Sequence, residues 1–315
     1  MADARGPADP LRPGRGSGAR ARRENGSVRD VAIGYLDGQV TELLTQDPEV
    51  RSGSPEAVHD MRSATRRLRS ALEIYAGIFD PHATADLGHE LKWLAKVLGR
   101  PRDAEVVRER LRARIAELPK ESGTERVAGP IEQRIGAAYD VAYARARKAL
   151  KSKRYHRLLE DLGDFRDHPP ATDRARRTAI SAAAGLVNHQ ARIVDRAHRA
   201  MVRSSPGHAR DVALHRLRKA TKRLLHGAES VAGIYPKHAL TLARTARRLQ
   251  RILGNHQDSV MTRAFLDSLA ADPDLPADTQ LACRRISDIE EDIARTAAKT
   301  YARTRRKSPA LRLRR

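Results

Sequence analysis

The sequence is poor in the residues that several classes of protein require. Its one cysteine, Cys283, cannot form a disulfide within the chain, which excludes a disulfide-stapled secreted scaffold. One tryptophan, three phenylalanines and seven tyrosines offer few aromatic platforms for stacking single-stranded nucleic acid. No run approaches the roughly 18 apolar residues of a membrane-spanning helix, and residues 1–26 lack the apolar core of a secretion signal. We therefore expect a cytoplasmic protein with no membrane segment.

Acidic residues are also scarce relative to basic ones. The 315 residues contain 61 Lys and Arg against 39 Asp and Glu, a formal net charge of +22. Residues 1–27 carry six arginines and three acids, and residues 303–315 carry seven bases and no acid. Residues 28–302 therefore keep a net charge of +12. The part of the chain expected to fold is itself cationic, which indicates an anionic partner.

Periodicity and breakers divide the chain into four segments. Residues 1–27 have the Arg, Pro and Gly content of a disordered basic arm, and residues 303–315 form a basic tail. Residues 28–168 and 171–302 show the i, i+3, i+4, i+7 recurrence of amphipathic helices, with Ser27 as the first N-cap. We predict helices that stop at Gly99 and resume at residue 103, a single helix over about residues 130–167, and separate helices over 236–253 and 259–270. No alternating β-branched run occurs, so the fold class is all-α, with two helical bundles joined near residues 168–171.

The two halves are similar residue by residue. Residues 59–68 (HDMRSATRRL) align with residues 215–224 (HRLRKATKRL), sharing His, Arg, Ala, Thr, Arg and Leu at the same offsets. A second match follows at nearly the same separation. It places Lys92, Lys96, Leu98, Gly99 and Asp103 on Arg247, Arg251, Leu253, Gly254 and Asp258. Two matches in one order indicate an internal duplication.

Two helices of each half carry a basic side opposite an apolar side when their residues are placed at 100° intervals. A single basic face is most often just solvated, but here the compensating acids are missing. Between Asp211 and Asp258 the one acid is Glu229, among ten Lys and Arg. The residues on the basic sides are His59, Arg62, Arg66, Arg69, His89, Lys92 and Lys96 in the first half, and His215, Arg218, Lys222, His226, Arg244, Arg247, Arg248 and Arg251 in the second.

The histidines at equivalent places, His59 and His215, allow two interpretations. Either ring could be a buried, hydrogen-bonded core histidine, or it could donate to an anion from both nitrogens when protonated. The second interpretation predicts that affinity for the anion rises as the pH falls through about 6 to 7.

No motif of catalysis is present, and we expect neither an enzyme nor a bound metal or cofactor. The pair His59 and Asp60 invites comparison with metal-dependent phosphohydrolases, but the repeat has Arg216 in place of Asp60, and a cation cannot ligate a metal. Phosphate-binding glycine loops, nucleophile elbows and metal-ligand spacings such as Cys-x-x-Cys are lacking.

The residues resemble the CHAD domain family, named for conserved histidines in an α-helical domain. The resemblance covers about residues 28–302 and rests on two segments, the repeat of both in the second half, and one further segment between them. They are Val58-His59-x-x-Arg62-x-x-x-Arg66-Arg67-Leu68-Arg69, then Lys92-x-x-x-Lys96-x-Leu98-Gly99-x-x-Arg102-Asp103, the repeat of both, and Leu150-x-Ser152-x-Arg154-Tyr155-x-x-Leu158-Leu159. Family members are often fused to a triphosphate-tunnel domain, whose Glu-x-Glu-x-Lys signature is absent here.

The resemblance implies two four-helix bundles related by a pseudo-twofold axis around a basic central channel. It also implies non-catalytic binding of inorganic polyphosphate, often at polyphosphate granules, and adds Arg67, Arg100, Arg102 and Arg223 to the candidate binding residues. In the second half, Leu225 replaces the arginine expected from Arg69. The alternative is a nucleoid-associated or RNA-associated protein, and its basic tails could contact nucleic acid even beside a polyphosphate channel.

Overall fold

The computed structural model of the chain describes residues 26–117 and 124–314, and this part is all-helical. Its β pairing is limited to two isolated bridges, Ser27 with Thr178 and Phe79 with Ala171. A 3₁₀ helix (Asp173–Arg176) precedes α6. In chain order the α-helices of the described part are α1 (Val28–Ser52), α2 (Pro55–Ile74), α3 (Pro81–Ala116), α4 (Thr124–Leu150), α5 (Lys153–Asp167), α6 (Ala179–Arg203), α7 (His208–Ser230), α8 (Pro236–Ala270) and α9 (Ala277–Lys307). The predicted all-α class is confirmed, and residues 1–25 of the predicted basic arm lie outside the described residues.

Local sequence signals explain where the first helices begin. Ser27 accepts a hydrogen bond from the Asp30 backbone N–H (3.2 Å) and donates its own N–H to the Asp30 carboxylate (3.0 Å), which completes a capping box. Ser54 caps α2 through the Ala57 N–H (3.3 Å), with Pro55 at the first helical position. These predicted starts are confirmed.

Two predicted helix breaks are wrong, the one after Gly99 in the first half and the one after Leu253 in the second. α3 continues through Gly99 and Pro101 for 36 residues, and α8 continues through Gly254 for 35 residues. Both glycines are buried beneath arginines of neighbouring helices. A methyl group at Gly99 would lie 3.7 Å from the Arg62 Nε, and one at Gly254 would lie 3.9 Å from the Arg218 Nε. The glycines therefore make room for guanidinium groups and do not end the helices.

Two other boundaries also differ from the prediction. The helix predicted over residues 130–167 is divided after Leu150, because Ser152 caps a new helix by accepting the Tyr155 N–H (3.3 Å). The connection after α5 packs back on the first half, where Asp80 donates its N–H to the Pro170 carbonyl (2.7 Å). The second half then begins with the short 3₁₀ helix before α6.

Helices pack in the same order in both halves and pairwise between them. In the first half α1 packs on α2, α2 on α3 and α3 on α4, and in the second half α6 packs on α7, α7 on α8 and α8 on α9. Between the halves α1 contacts α6, α2 contacts α7, α3 contacts α8, and α4 contacts α9. The basic sides of α2 and α7 are thereby brought to one crossing.

Three apolar cores hold the described helices together. The first joins α1, α2, the beginning of α3, and α5, and the second joins α6, α7, the beginning of α8, and the end of the chain. The third is built jointly by both halves. It contains Val107 and Leu111 of α3, Ile131 and Ile135 of α4, Leu266 and Leu269 of α8, Leu275, and Cys283 and Ile286 of α9. The two halves therefore share apolar packing and are not separate units.

The predicted basic tail begins inside α9, and two of its residues anchor it on the protein, although most of residues 303–314 are exposed. Residues 303–307 belong to α9, and Leu311 and Leu313 are buried in the second core. Arg315 lies outside the described residues.

A cation–π contact fastens α5 to α3. The Arg154 guanidinium lies 4.4 Å from the centroid of the Trp93 ring and donates two hydrogen bonds, of 2.6 and 2.9 Å, to the Glu90 carboxylate.

Candidate anion-binding site

The crossing of α2 and α7 collects five cations, and some of them have no paired carboxylate among the described residues. Burial, then the charges of Arg62 and Arg218, lowers the pKa of Arg66 to about 10. Burial and the guanidinium groups of Arg66, Arg218, Arg62 and Arg67 lower the pKa of Lys222 well below its usual range. Among the described residues, Arg66 and Lys222 form no ion pair. We call Arg62, Arg66, Arg67, Arg218 and Lys222 the central basic cluster.

The outer arginines of the cluster, Arg62 and Arg218, occupy matching environments. Arg62 donates from Nη2 to the Asp103 carboxylate (2.8 Å) above Gly99, and Arg218 lies above Gly254 in the field of Asp258. The Nε atoms of both arginines are buried and have no hydrogen-bond partner among the described residues. Such N–H groups are donors held in place without an acceptor.

The carboxyl of Asp258 is also perturbed. Burial is the main cause that raises its pKa, and the neighbouring Asp103 acts in the same direction, while Arg218 and Arg110 oppose them. Asp258 thus lies in the field of another acid as well as in the field of the cluster's arginine.

Reciprocal contacts flank the cluster. Arg67 lies 3.7 Å from Glu229, and Arg223 forms an ion pair with Glu73, so each half supplies one arginine and one glutamate. The same reciprocity places His226 against Ser70, residues 156 positions apart, which is also the separation of His59 from His215. Equivalent residues therefore meet across the α2–α7 crossing.

His226 needs a correction as a binding residue. Its ring is buried, its Nδ1 lies 2.8 Å from the Ser70 Oγ, and burial and the nearby Lys222 hold its pKa well below the usual range. It lies beside the basic cluster, as the wheel predicts, but it is packed between the helices because the partner helix covers that position.

The two equivalent histidines differ in their surroundings. The atoms packed around the His59 ring, then the Arg102 guanidinium, lower its pKa, and the ring stays exposed. Burial likewise lowers the pKa of His215, whose Nδ1 is paired with the side-chain oxygen of Gln257. Gln257 occupies the place in the second half that Arg102 has in the first.

Comparison with known proteins decides the family. The family model of the CHAD domain matches residues 34–267. The chain belongs to the CHAD domain family. Two relatives from Mycobacterium tuberculosis strains, the uncharacterized proteins MT2285 and Rv2226, are each 34% identical over 231 residues. That match takes in 72% of this chain and 43% of the relatives, so this CHAD domain protein aligns with less than half of their length.

Solved structures share the fold of this CHAD domain. PptA from Streptomyces chartreusis superposes with a TM-score of 0.73 at 19% identity, covering 89% of this chain and 99% of that one. The CHAD domain from the plant Ricinus communis gives a TM-score of 0.74 at 22% identity, covering 92% and 96%. At these identities the likeness establishes the fold.

The predicted basic residues on α3 and α8 lie mostly on the surface. Arg102 is half-buried and forms an ion pair with Glu105 (2.7 Å), and Arg247 is paired with Glu229 (2.8 Å). Glu229 contacts both Arg247 of α8 and Arg67 of the cluster, so this side of α8 lies next to the cluster. The exposed members of the two faces are His89, Lys92, Lys96 and Arg100 on α3, and Arg244, Arg248 and Arg251 on α8.

Several residues that shape the site are missing from the sequence prediction. Asp103 and Asp258 were matched in the repeat as landmarks, yet they lie directly against Arg62 and Arg218. Glu229 stood out in the sequence as an isolated acid in a basic stretch, and that isolation was a usable signal.

Within 26–117 and 124–314, no three His, Cys, Asp or Glu side chains are grouped so that they could hold a metal ion. None of the helices in this part is both long and apolar enough to cross a membrane.

Proposed function

We propose that this CHAD domain binds inorganic polyphosphate through the central basic cluster, without catalysis of its own. The observation that carries the proposal is Lys222, which lies among four arginines and has no paired carboxylate in the described part of the chain. The positive charges of the cluster repel one another at this half-buried site, and a bound polyanion would offset that repulsion with attraction to its own negative charges. A phosphate chain is the simplest polyanion for such a place.

We further propose that the halves arose by duplication and pack as two four-helix bundles about a pseudo-twofold axis, with the cluster lining a basic channel. The pairwise packing of α1 on α6 through α4 on α9 supports this arrangement. So do the reciprocal pairs Arg67 with Glu229 and Arg223 with Glu73. In a twofold contact, each partner presents the same surface to the other, which is the pattern of these pairs.

The chemistry of the site favours polyphosphate over nucleic acid. Polyphosphate has no bases, so a protein recognises it by phosphate oxygens alone, and arginine forks and lysine ammonium groups are the matching donors. Stacking platforms for bases are few, since the sequence has eleven Phe, Trp and Tyr residues in total. We place the protein in the cytoplasm, at polyphosphate granules.

Titration of the full chain with long-chain polyphosphate tests the proposal. Changing Arg62, Arg66, Arg218 and Lys222 to Ala is expected to abolish binding while the helical circular dichroism is kept. The matched control removes four exposed cations elsewhere, by changing Arg196, Arg199, Arg284 and Arg285 to Ala, and is expected to bind nearly as tightly as the unmodified chain. Equal losses in both variants would show diffuse attraction and overturn the assignment to the cluster.

Competition and product analysis separate this function from the alternatives. Long-chain polyphosphate is expected to displace duplex DNA at equal phosphate concentration, whereas the reverse order would favour a nucleic-acid-associated protein. Release of orthophosphate with added divalent metal that disappears on changing His59 to Ala would show a hydrolase and contradict non-catalytic binding.

A further inference from the structure

A second site lined by cations lies away from the crossing of α2 and α7. A cavity of about 700 Å³ opens between α6 and the segment of residues 308–314. It is lined by Ala184, Gly185, Asn188, Arg192, Ala310, Arg312, Leu313 and Arg314. None of these residues belongs to the central basic cluster, and none is acidic.

The wall formed by residues 308–314 is fixed in place. Asn188 donates from Nδ2 to the Leu313 carbonyl (3.1 Å) and accepts the Leu313 N–H at Oδ1 (2.8 Å). Leu311 and Leu313 are buried in the second core, while Arg312 and Arg314 are exposed. The buried leucines alternate with the two exposed arginines, so anchoring Leu311 and Leu313 holds Arg312 and Arg314 outward at the cavity.

The three arginines of the cavity are not neutralised locally. In the described part of the chain, Arg192, Arg312 and Arg314 form no ion pair, whereas Arg110, Arg134 and Arg305 each pair with a carboxylate of another helix or loop. Asp195, one turn beyond Arg192 on α6, is directed to Arg305 of α9 (2.9 Å). The acid closest in sequence is thus already engaged, and three positive charges surround one cavity.

The lining also indicates what kind of anion would fit. The cavity volume falls in the range of about 300–1,000 Å³ that is typical of small-molecule pockets, and it is larger than a single phosphate ion would fill. Ala184, Gly185 and Ala310 give small apolar walls, and the amide of Asn188 is already bonded to Leu313. Phosphoryl groups would lie on the arginines, and an organic part would lie on the apolar wall.

We propose that this cavity binds a small phosphorylated organic compound, of the class of nucleoside diphosphates and triphosphates. Arg192, Arg312 and Arg314 hold its phosphates, and Asn188 is a positioning residue that keeps the 308–314 segment in place. The inference does not depend on polyphosphate binding at the central basic cluster, since it rests on other elements of the fold. Phosphate oxygens are common to this ligand and to a passing polyphosphate chain, so the test must separate the two sources.

Calorimetric titration of the full chain with ATP and, separately, with tripolyphosphate provides that test. Changing Arg192 and Arg312 to Ala is expected to weaken ATP binding by about tenfold to a hundredfold, because each lost guanidinium removes charge-assisted hydrogen bonds. The control changes Arg196 and Arg199 to Ala, which removes the same charge from exposed positions of α6 outside the cavity, and is expected to leave ATP binding unchanged.

Two further variants complete the design. Asn188→Ala keeps every charge but releases Leu313, and we expect it to weaken ATP binding severalfold, which general electrostatic attraction would not do. The pair Arg66→Ala and Lys222→Met is expected to lose polyphosphate and keep ATP, so failures at the two places are distinguishable. Absence of ATP binding, or an equal loss in the Arg196 and Arg199 control, would overturn the site. Tripolyphosphate binding at the cavity as tightly as ATP would overturn the organic part of the assignment.

Discussion

At the scale of single residues, Lys222 is the group whose state depends most on the ligand. Burial and four surrounding arginines lower its pKa in the free protein, so its ammonium form is costly there. A bound phosphate chain favours the ammonium form and raises that pKa. Arg66, with a pKa lowered to about 10, stays charged at neutral pH and has no such freedom.

Lys222→Met is therefore expected to separate stability from binding. The variant keeps the length and apolar stem of the side chain but removes a charge buried among like charges. We expect the free energy of unfolding to rise by about 1–3 kcal/mol, since replacing buried charge with well-packed apolar atoms often stabilises a protein. Polyphosphate affinity is expected to fall about tenfold. Urea denaturation and ligand titration measure the two effects, and a less stable variant with undiminished affinity would contradict this account.

The equivalent histidines correct the pH dependence expected from the sequence. Burial, with Arg102 at His59 and Lys219 at His215 among the contributors, lowers both pKa values below the ordinary 6.5. An anion favours the protonated ring, so affinity should rise as the pH falls and level off only below the pKa values of the free protein, which are lowered from 6.5. Binding measured from pH 5 to pH 8 checks this expectation. In the chain with His59→Gln and His215→Gln this rise is expected to disappear, and an unchanged acidic rise would assign it to other groups.

At the scale of the helices, periodicity predicted faces well and boundaries poorly. The apolar and basic sides of α2 and α7 follow from 3.6-residue spacing, and the structure brings the predicted Arg62, Arg66, Arg218 and Lys222 together. The helix ends predicted at Gly99 and Gly254 were wrong because glycine often ends a helix, and the sequence does not show that a neighbouring helix packs an arginine over each of these glycines. Pairings such as Arg62 with Asp103 depend on the relative placement of two helices, which no single helical wheel contains.

Close packing of α2 on α7 gives a prediction at this scale. A methyl group at Gly227 would lie 3.4 Å from the Ile74 Cδ1 and 3.8 Å from Val187, so Gly227→Leu should force the helices apart and lower the free energy of unfolding by about 1–3 kcal/mol or more. Gly163 of α5 has nothing within 4 Å of such a methyl group, so Gly163→Ala should stabilise by about 0.5–1 kcal/mol through helix propensity alone. Thermal and urea unfolding of both variants would show opposite signs, and the same sign in both would refute this packing argument.

At the scale of the molecule, the third core makes the two halves interdependent. Its side chains come from α3 and α4 of the first half and from α8 and α9 of the second. One guanidinium strengthens this junction. Arg110 donates to Asn255 (2.8 Å) and Ser259 (2.7 Å) of α8 and to the buried carboxylate of Glu290 on α9. Glu290 stands beside Glu291 and Asp292 in a charged stretch of α9, yet its side chain is buried, with Arg110 of α3 against it.

Removing that carboxylate tests the interdependence. Glu290→Ala leaves Arg110 without its buried charge partner and is expected to lower the free energy of unfolding by about 3–5 kcal/mol. Because the junction belongs to both halves, we expect one cooperative transition at a lower midpoint, with calorimetric and van't Hoff enthalpies still in agreement. Asp292→Ala, a change at an exposed acid of the same helix, should shift the midpoint little. Two separate transitions would show that the halves unfold independently.

The stacking of Arg154 on Trp93 has a practical consequence for work on this protein. Trp93 is the one tryptophan of the sequence, and its neighbours along α3 include the exposed Lys92 and Lys96. Indole emission responds to a cation held over the ring, so a phosphate chain that draws Arg154 away should change the fluorescence. Trp93 would thus serve as an intrinsic optical reporter for binding of the proposed ligand at this surface, without any attached dye.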